Sequence, residues 1–249
     1  MMGSPAKRSH AFTLAELLIV IAVMAILLAL LIPALSRSRT KAKRATCLNH
    51  LHQIALGVRM YADDANDTGP ARFSAGKSLD GWMAYKQLMK SHLEQNSASS
   101  PEDKPFACPA DTYHYDFTST SSNAYAYIGQ GVHRQAWSDY SSYAFNGGNT
   151  RTSKVTGASY PGIAGRKLSS IKDPSRTILV AEMPAFYCFS WHDPQNPKLP
   201  HYFQGARNMA AFVDGGVSYI RFYWDSSKPQ NESWEYDPPS GYAYKWSGD

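Results

Sequence analysis

Glu16 is the residue whose position most demands a chemical explanation. It heads residues 17–32, sixteen apolar side chains without a break, and a carboxylate beside a membrane-length segment is costly unless it has a partner or a function. The chemistry open to it is pairing with a cation. Elsewhere, His192-Asp193, His201, Glu182 and Asp214 could supply acid and base groups. No nucleophile elbow, phosphate loop or HExxH motif accompanies them, so no enzyme is expected and no catalytic residue is assigned. Asp63, Asp64 and Asp67, with Asn66 between them, offer the hard oxygen donors that Ca2+ takes. They are candidate calcium ligands, although an Asx-rich helix end has the same composition. No other cofactor is expected.

Cys47, Cys108 and Cys188 permit at most one disulfide, which would persist in an oxidising compartment, and one thiol is left over. The sequence does not select the pair. The cysteines show neither CxxC nor the Cys/His spacing of a zinc motif, so no structural zinc site is expected.

The net charge of +5 suggests an anionic partner, but its distribution removes that reading for most of the chain. Residues 1–44 hold seven Lys/Arg and one acid, leaving 18 basic and 19 acidic residues from Ala45 onward. The basic excess belongs to the stem, so no nucleic acid partner is expected. Arg37, Arg39, Lys41, Lys43 and Arg44 could meet anionic lipid headgroups or form a solvated stretch of helix. The six tryptophans, Trp82, Trp137, Trp191, Trp224, Trp234 and Trp246, could form a binding face, but core packing is the commoner fate of aromatics.

These groups must be positioned by a small number of elements. The apolar run reaches the ~20 residues needed to span a membrane, interrupted only by Pro33. Beyond the basic stretch, Leu48, Leu51, Ala55, Val58 and Ala62 recur at helical spacing. One long helix is therefore expected from about Phe12 to about Ala62, bent near Pro33, and stopped by the turn formers of residues 63–70. A shorter helix is expected over residues 82–94 and a surface loop over 96–105. Short strands with long loops should follow to residue 166. Residues 176–181 and 186–191 read as strands. Residues 208–213 and 216–223 read as a hairpin turning at Asp214-Gly215, where Asp-Gly suits the positive φ of a tight primed turn. Residues 225–249 read as a loosely packed edge.

Three readings fit the first 36 residues. A secretory signal would use Lys7 and Arg8, the apolar run, and Ala34-Leu35-Ser36 as a cleavage site. A plain single-pass anchor explains the length and leaves Glu16 idle. The third rests on Lys7-Arg8-Ser9-His10-Ala11 followed by Phe12-Thr13-Leu14-Ala15-Glu16, which resembles the prepilin-type N-terminal cleavage/methylation leader of type IV pilins and type II secretion pseudopilins. Further segments extend the resemblance to pilin-like proteins of planctomycetes and verrucomicrobia: Cys47-Leu48-Asn49, Cys108-Pro109-Ala110-Asp111, Tyr143-Ala144-Phe145-Asn146, and His201 with Asp214-Gly215. That group carries a His, a spacer of nine residues and Asp-Gly; here the spacer between His201 and Asp214 is twelve.

The resemblance implies that prepilin peptidase cuts between Ala11, where the family usually has Gly, and Phe12, and then methylates Phe12. It implies that Glu16 sets subunit register in assembly and that Pro33 is the helix proline of the family. The expected organisation is a leader over 1–11, a transmembrane helix over 12–35, an amphipathic half-helix over 36–62 and a globular pilin-like domain over 63–249. The expected fold class is α+β: a long N-terminal helix packed on a domain with a small antiparallel sheet. The basic residues after the helix outnumber those before it, which alone would place that domain inside the cell; the processing motif overrules this. The implied location is the inner membrane, single-pass, with the C-terminal domain in the periplasm or outside. The implied partners are prepilin peptidase, like pilin subunits, an assembly platform of a secretion or pilus system, and membrane lipid. The alternative is a membrane-anchored extracytoplasmic binding protein that does not polymerise.

Overall fold

A computed structural model describes residues 13–71, 81–93, 103–111, 141–150, 157, 159–195, 203–227 and 233–249. It contains α1 (Leu14–Asp64), α2 (Gly81–Lys90), β1 (Tyr143–Phe145), β2 (Ile178–Glu182), α3 (Met183–Tyr187), β3 (Arg207–Phe212) and β4 (Val217–Arg221). The chain divides into two compact units, Met1–Ala42 and Lys43–Asp249.

In the first unit, residues 17–32 of α1 are all Leu, Ile, Val, Ala or Met, without a glycine, a composition that favours helix when its surface is not in water. Its large apolar side chains are exposed on every side, Leu30 at 70% and Ile32 at 65% among them. By length and composition the helix can cross a membrane. α1 is continuous through Pro33, whose ring nitrogen has no hydrogen to donate, so one helical hydrogen bond is lost there.

In the second unit, the C-terminal part of α1 turns amphipathic. Cys47, Leu51, Ile54, Val58 and Ala62 are buried at three- and four-residue intervals. Leu48, expected on this face, lies at its margin and Ile54 nearer its centre. The helix ends at Asp64, where Asn66 and Asp67 take left-handed backbone conformations and the Asp67 N–H donates to Ala62 O at 2.7 Å.

The sheet has the order β1-β2-β3-β4 and every pair is antiparallel. β2 is buried along its whole length and β3 everywhere but its first residue, whereas β4 is more accessible, as an edge should be. The expected β3–β4 hairpin forms with a wider turn than a primed two-residue loop. Phe212 N–H donates to Gly216 O, Gly215 N–H donates to Phe212 O, and only Gly215 has positive φ, at 94°. Glycine supplies the left-handed residue of a longer loop, so Asp214 need not adopt that conformation.

Two further expectations fail. Residues 186–191 form no strand: α3 occupies Met183–Tyr187, with Pro184 in its first turn and Cys188 left-handed at its end. Proline presets the backbone for a helix start, and this overrides the β preference of the following aromatics. The tail is also not a loose edge. Trp234, Tyr244 and Trp246 are buried, Phe186 and Trp246 meet at 4.8 Å, and Lys245 bridges Thr177 in parallel. Asn146 Nδ2 fastens it, donating to Trp246 O at 2.7 Å and to Ile178 O at 2.8 Å. Aromatic area in a core outweighs the turn-like composition around it.

Trp246→Ala should therefore lower the stability of the second unit by about 3–5 kcal/mol. Urea titration of the detergent-extracted chain checks this; a change below about 0.5 kcal/mol would mark the tail as peripheral.

Candidate functional site

At the start of α1, Thr13 and Glu16 hold each other. The Thr13 N–H donates to Glu16 Oε2 at 2.9 Å, the Thr13 hydroxyl donates to the same oxygen at 2.8 Å, and the Glu16 N–H donates to Thr13 Oγ1 at 3.2 Å. This is a capping box, in which N-cap and third helical residue satisfy each other's orphan backbone donors. The signal was readable as Thr-x-x-Glu, and sequence reasoning missed it by treating Glu16 only as a charge. Both accepted bonds fall on Oε2, and among the described residues Oε1 has none.

The apolar helix surface and its capped acidic start now stand together. Residues 6–32 match the prokaryotic N-terminal methylation motif. No curated protein and no solved structure matches the chain. The methylation motif includes Ala11, Phe12 and Glu16 and ends just before Pro33. It is the mark of a pilin-like processed protein and points to a structural role rather than an enzymatic one. Ala11 and Phe12 themselves lie outside the described residues, as do His201 and Trp137.

A second constellation lies in the globular unit. Cys47 on α1, Cys108 in the loop beyond residues 104–106, Glu182 at the end of β2 and His192 after α3 bring one ligand atom each to within 4.8 Å of one another, and all four residues are buried. His192 Nε2 lies 2.9 Å from Glu182 Oε1; Cys108 Sγ lies 3.3 Å from that oxygen and 3.6 Å from the imidazole nitrogen. The other carboxylate oxygen, Oε2, accepts the Met209 N–H at 2.8 Å, which fixes the glutamate's orientation. Tyr143 is paired across the strands with Glu182. Burial, with the neighbouring cysteines and Glu182, pushes its hydroxyl well above the ordinary tyrosine value, and Cys47 is its side-chain hydrogen-bond neighbour.

The electrostatics follow from this crowding. The hydrogen bond from Cys108 brings the Cys47 thiol down to about 7 against the opposing effect of burial. Burial, with the Cys47 contact and Glu182 charge added, drives Cys108 well above the ordinary thiol value. Burial disfavours charge on His192, but the Cys47 and Glu182 contacts outweigh it and lift the imidazole to about 9. All three cysteines are free and buried, and Cys188 stands apart, its thiol donating to Phe222 O at 3.8 Å. Sequence reasoning noted Glu182 and His192 as acid/base candidates and the cysteines as disulfide candidates, but not their union. Glu182 lies 74 positions from Cys108 and 10 from His192, and only the fold brings them together.

Other candidates disperse. Asp64 faces His92 Nε2 at 3.2 Å, while Asp67 accepts the N–H and hydroxyl of Ser169. Among the described residues, they and Asp63 are not part of a group with metal-ligand geometry. Those Ser169 bonds lower the Asp67 pKa. Asp214 Oδ1 accepts the Gly216 N–H at 2.8 Å, as a turn residue does. Arg44 pairs with Asp193 and lies over the Tyr219 ring at 4.8 Å, so it serves the globular unit.

A buried ionic group that sequence reasoning did not single out is Asp103, held between Lys86 Nζ at 3.0 Å and Lys90 Nζ at 2.9 Å. Burial raises its pKa, but the two ammonium groups more than compensate and hold it below the ordinary carboxylate value. A depressed carboxylate stabilises the fold above its unfolded pKa of ~3.9, and that contribution is lost as pH falls through the folded value. Asp103→Asn should cost about 3–5 kcal/mol at pH 7 and should flatten the acid limb of the stability profile. Denaturant midpoints from pH 7 down to pH 3 check both.

Proposed function

We propose that this chain is a pilin-like structural subunit, trimmed between Ala11 and Phe12 by prepilin peptidase and methylated on Phe12. The reading rests on one observation: the methylation motif of residues 6–32 runs directly into a helix whose apolar side chains are exposed all round. Such a surface is stable in lipid or against other apolar helices, each fully buried Leu or Ile being worth about 1.5–3 kcal/mol. Residues 12–35 would form the single span in the inner membrane, with the C-terminal domain in the periplasm or outside.

Cleavage would create an α-amino group with a pKa of ~7.7–8.0, and methylation keeps its charge. Glu16 is four residues further along, ~6 Å at the helical rise. Helices packed side by side with an axial stagger would let the Glu16 carboxylate of one subunit meet the cationic terminus of the next. Neither charge is tolerable alone in hydrocarbon, so the pair would select the register of assembly. The cap complicates this role without cancelling it, because Oε2 serves the subunit's own Thr13 and Oε1 remains for a neighbour. The product would be a type II secretion pseudopilus or a type IV pilus-like fibre, built on an assembly platform from like subunits.

Intact mass of the chain extracted from membranes should show residues 1–11 missing and one methyl group on Phe12. A retained leader would instead favour an anchored binding protein, and a cut after Ser36 with a soluble product ordinary secretion. Glu16→Gln separates the two roles, since glutamine completes a capping box but carries no charge. The variant should insert and be processed normally yet fail to enter fibres; normal incorporation would remove the register role.

A further inference from the structure

We propose that Cys47, Cys108, Glu182 and His192 form a closed, four-coordinate site for a zinc-class divalent metal ion inside the globular unit. The geometry carries the inference. Zinc takes Cys sulfur at ~2.3 Å, His nitrogen at ~2.0–2.1 Å and carboxylate oxygen at ~2.0–2.2 Å, so a tetrahedron of such ligands has edges of about 3.3–3.8 Å. The observed separations of 2.9, 3.3 and 3.6 Å, with all four ligand atoms within 4.8 Å, need only small side-chain movements to reach those edges. Two thiolates and an imidazole select a borderline-soft metal over calcium or magnesium.

A disulfide between Cys47 and Cys108 would account for the two cysteines alone. It would leave unexplained why a fully buried glutamate and a buried histidine converge on the same point, where an unpaired carboxylate is expensive. The surroundings are also those of a metal site. The Met209 N–H orients Glu182, as outer-shell partners orient ligands. Tyr143 is the cross-strand partner of Glu182, and its buried hydroxyl neighbours Cys47, where it would donate to the thiolate. Binding would release the thiol protons to solvent and leave each cysteine as a metal-bound thiolate. All four ligand positions come from protein and the site is buried, which describes a structural metal centre. It would tie α1 to the end of β2 and to the loops carrying Cys108 and His192.

The test uses the full-length chain, extracted in detergent, reduced, stripped with a chelator and reloaded with Zn2+ or Co2+. One metal ion per chain by elemental analysis is expected, with thiolate-to-cobalt charge transfer and tetrahedral d–d bands in the cobalt form. Cys108→Ser and His192→Ala should weaken affinity by more than about 100-fold, beyond the 10–100-fold typical of an outer-shell partner. Tyr143→Phe should fall within that 10–100-fold range, and Cys188→Ser should bind normally. The wild-type cobalt spectrum needs no variant to fold. Absence of uptake by the wild-type chain would overturn the proposal. So would a chain isolated directly from membranes that carries no metal and weighs two hydrogens less through a Cys47–Cys108 bond. Metal content is read without reference to leader processing, so this proposal and the pilin reading can fail independently.

Discussion

A single continuous helix in this protein has to satisfy two different surroundings, and that demand organises the rest of the chain. Over its first part no polar surface interrupts the Leu, Ile and Val side chains, so water is excluded as a stable environment. Past the basic residues the same backbone carries a one-sided pattern, and the buried side belongs to a protein core. What changes is the angular distribution of apolar side chains, from all round to one face, and this decides where each stretch is stable.

The globular unit is assembled around polar groups that have been taken out of water and must be answered there. Asp103 lies between two lysines, Asn146 ties β2 to the C-terminal tail, and Glu182 meets His192 beside two thiols. Buried ionic groups of this sort add little net stability compared with apolar packing, but each is costly to leave half-satisfied. Any other packing of these short strands would have to re-pair such groups or bear that cost. The aromatic tail works in the same direction, since Trp234, Tyr244 and Trp246 fill the core beside α3.

Features written in local sequence were legible, and features made by long-range convergence were not. The period of Leu51, Val58 and Ala62, the length of the apolar run and the Asp-Gly between two β-rich stretches each act within a few residues, and each produced the expected element. The turn type was misjudged because Gly215 alone could supply the positive φ. Pro184 starts a helix where the aromatics after it suggest a strand, and aromatic residues scattered among Pro, Ser and Gly read as an exposed margin although they pack inward. The cysteine, glutamate and histidine cluster had no local signature at all, because its members arrive from four separate elements. Of the acidic residues around the end of α1, Asp67 holds Ser169 and Asp64 faces His92, contacts that their local sequence does not announce.

The reciprocal bonds at the head of α1 also bear on what proteolysis can do to the helix. Among the described residues, the hydrogen bonds of that cap run between Thr13 and Glu16, both of which stay with the helix after a cut ahead of Phe12. Severing the chain ahead of Phe12 would leave the first turn wound and its backbone donors still answered. The peptidase would then trim ahead of a helix whose opening turn is already closed by its own side chains.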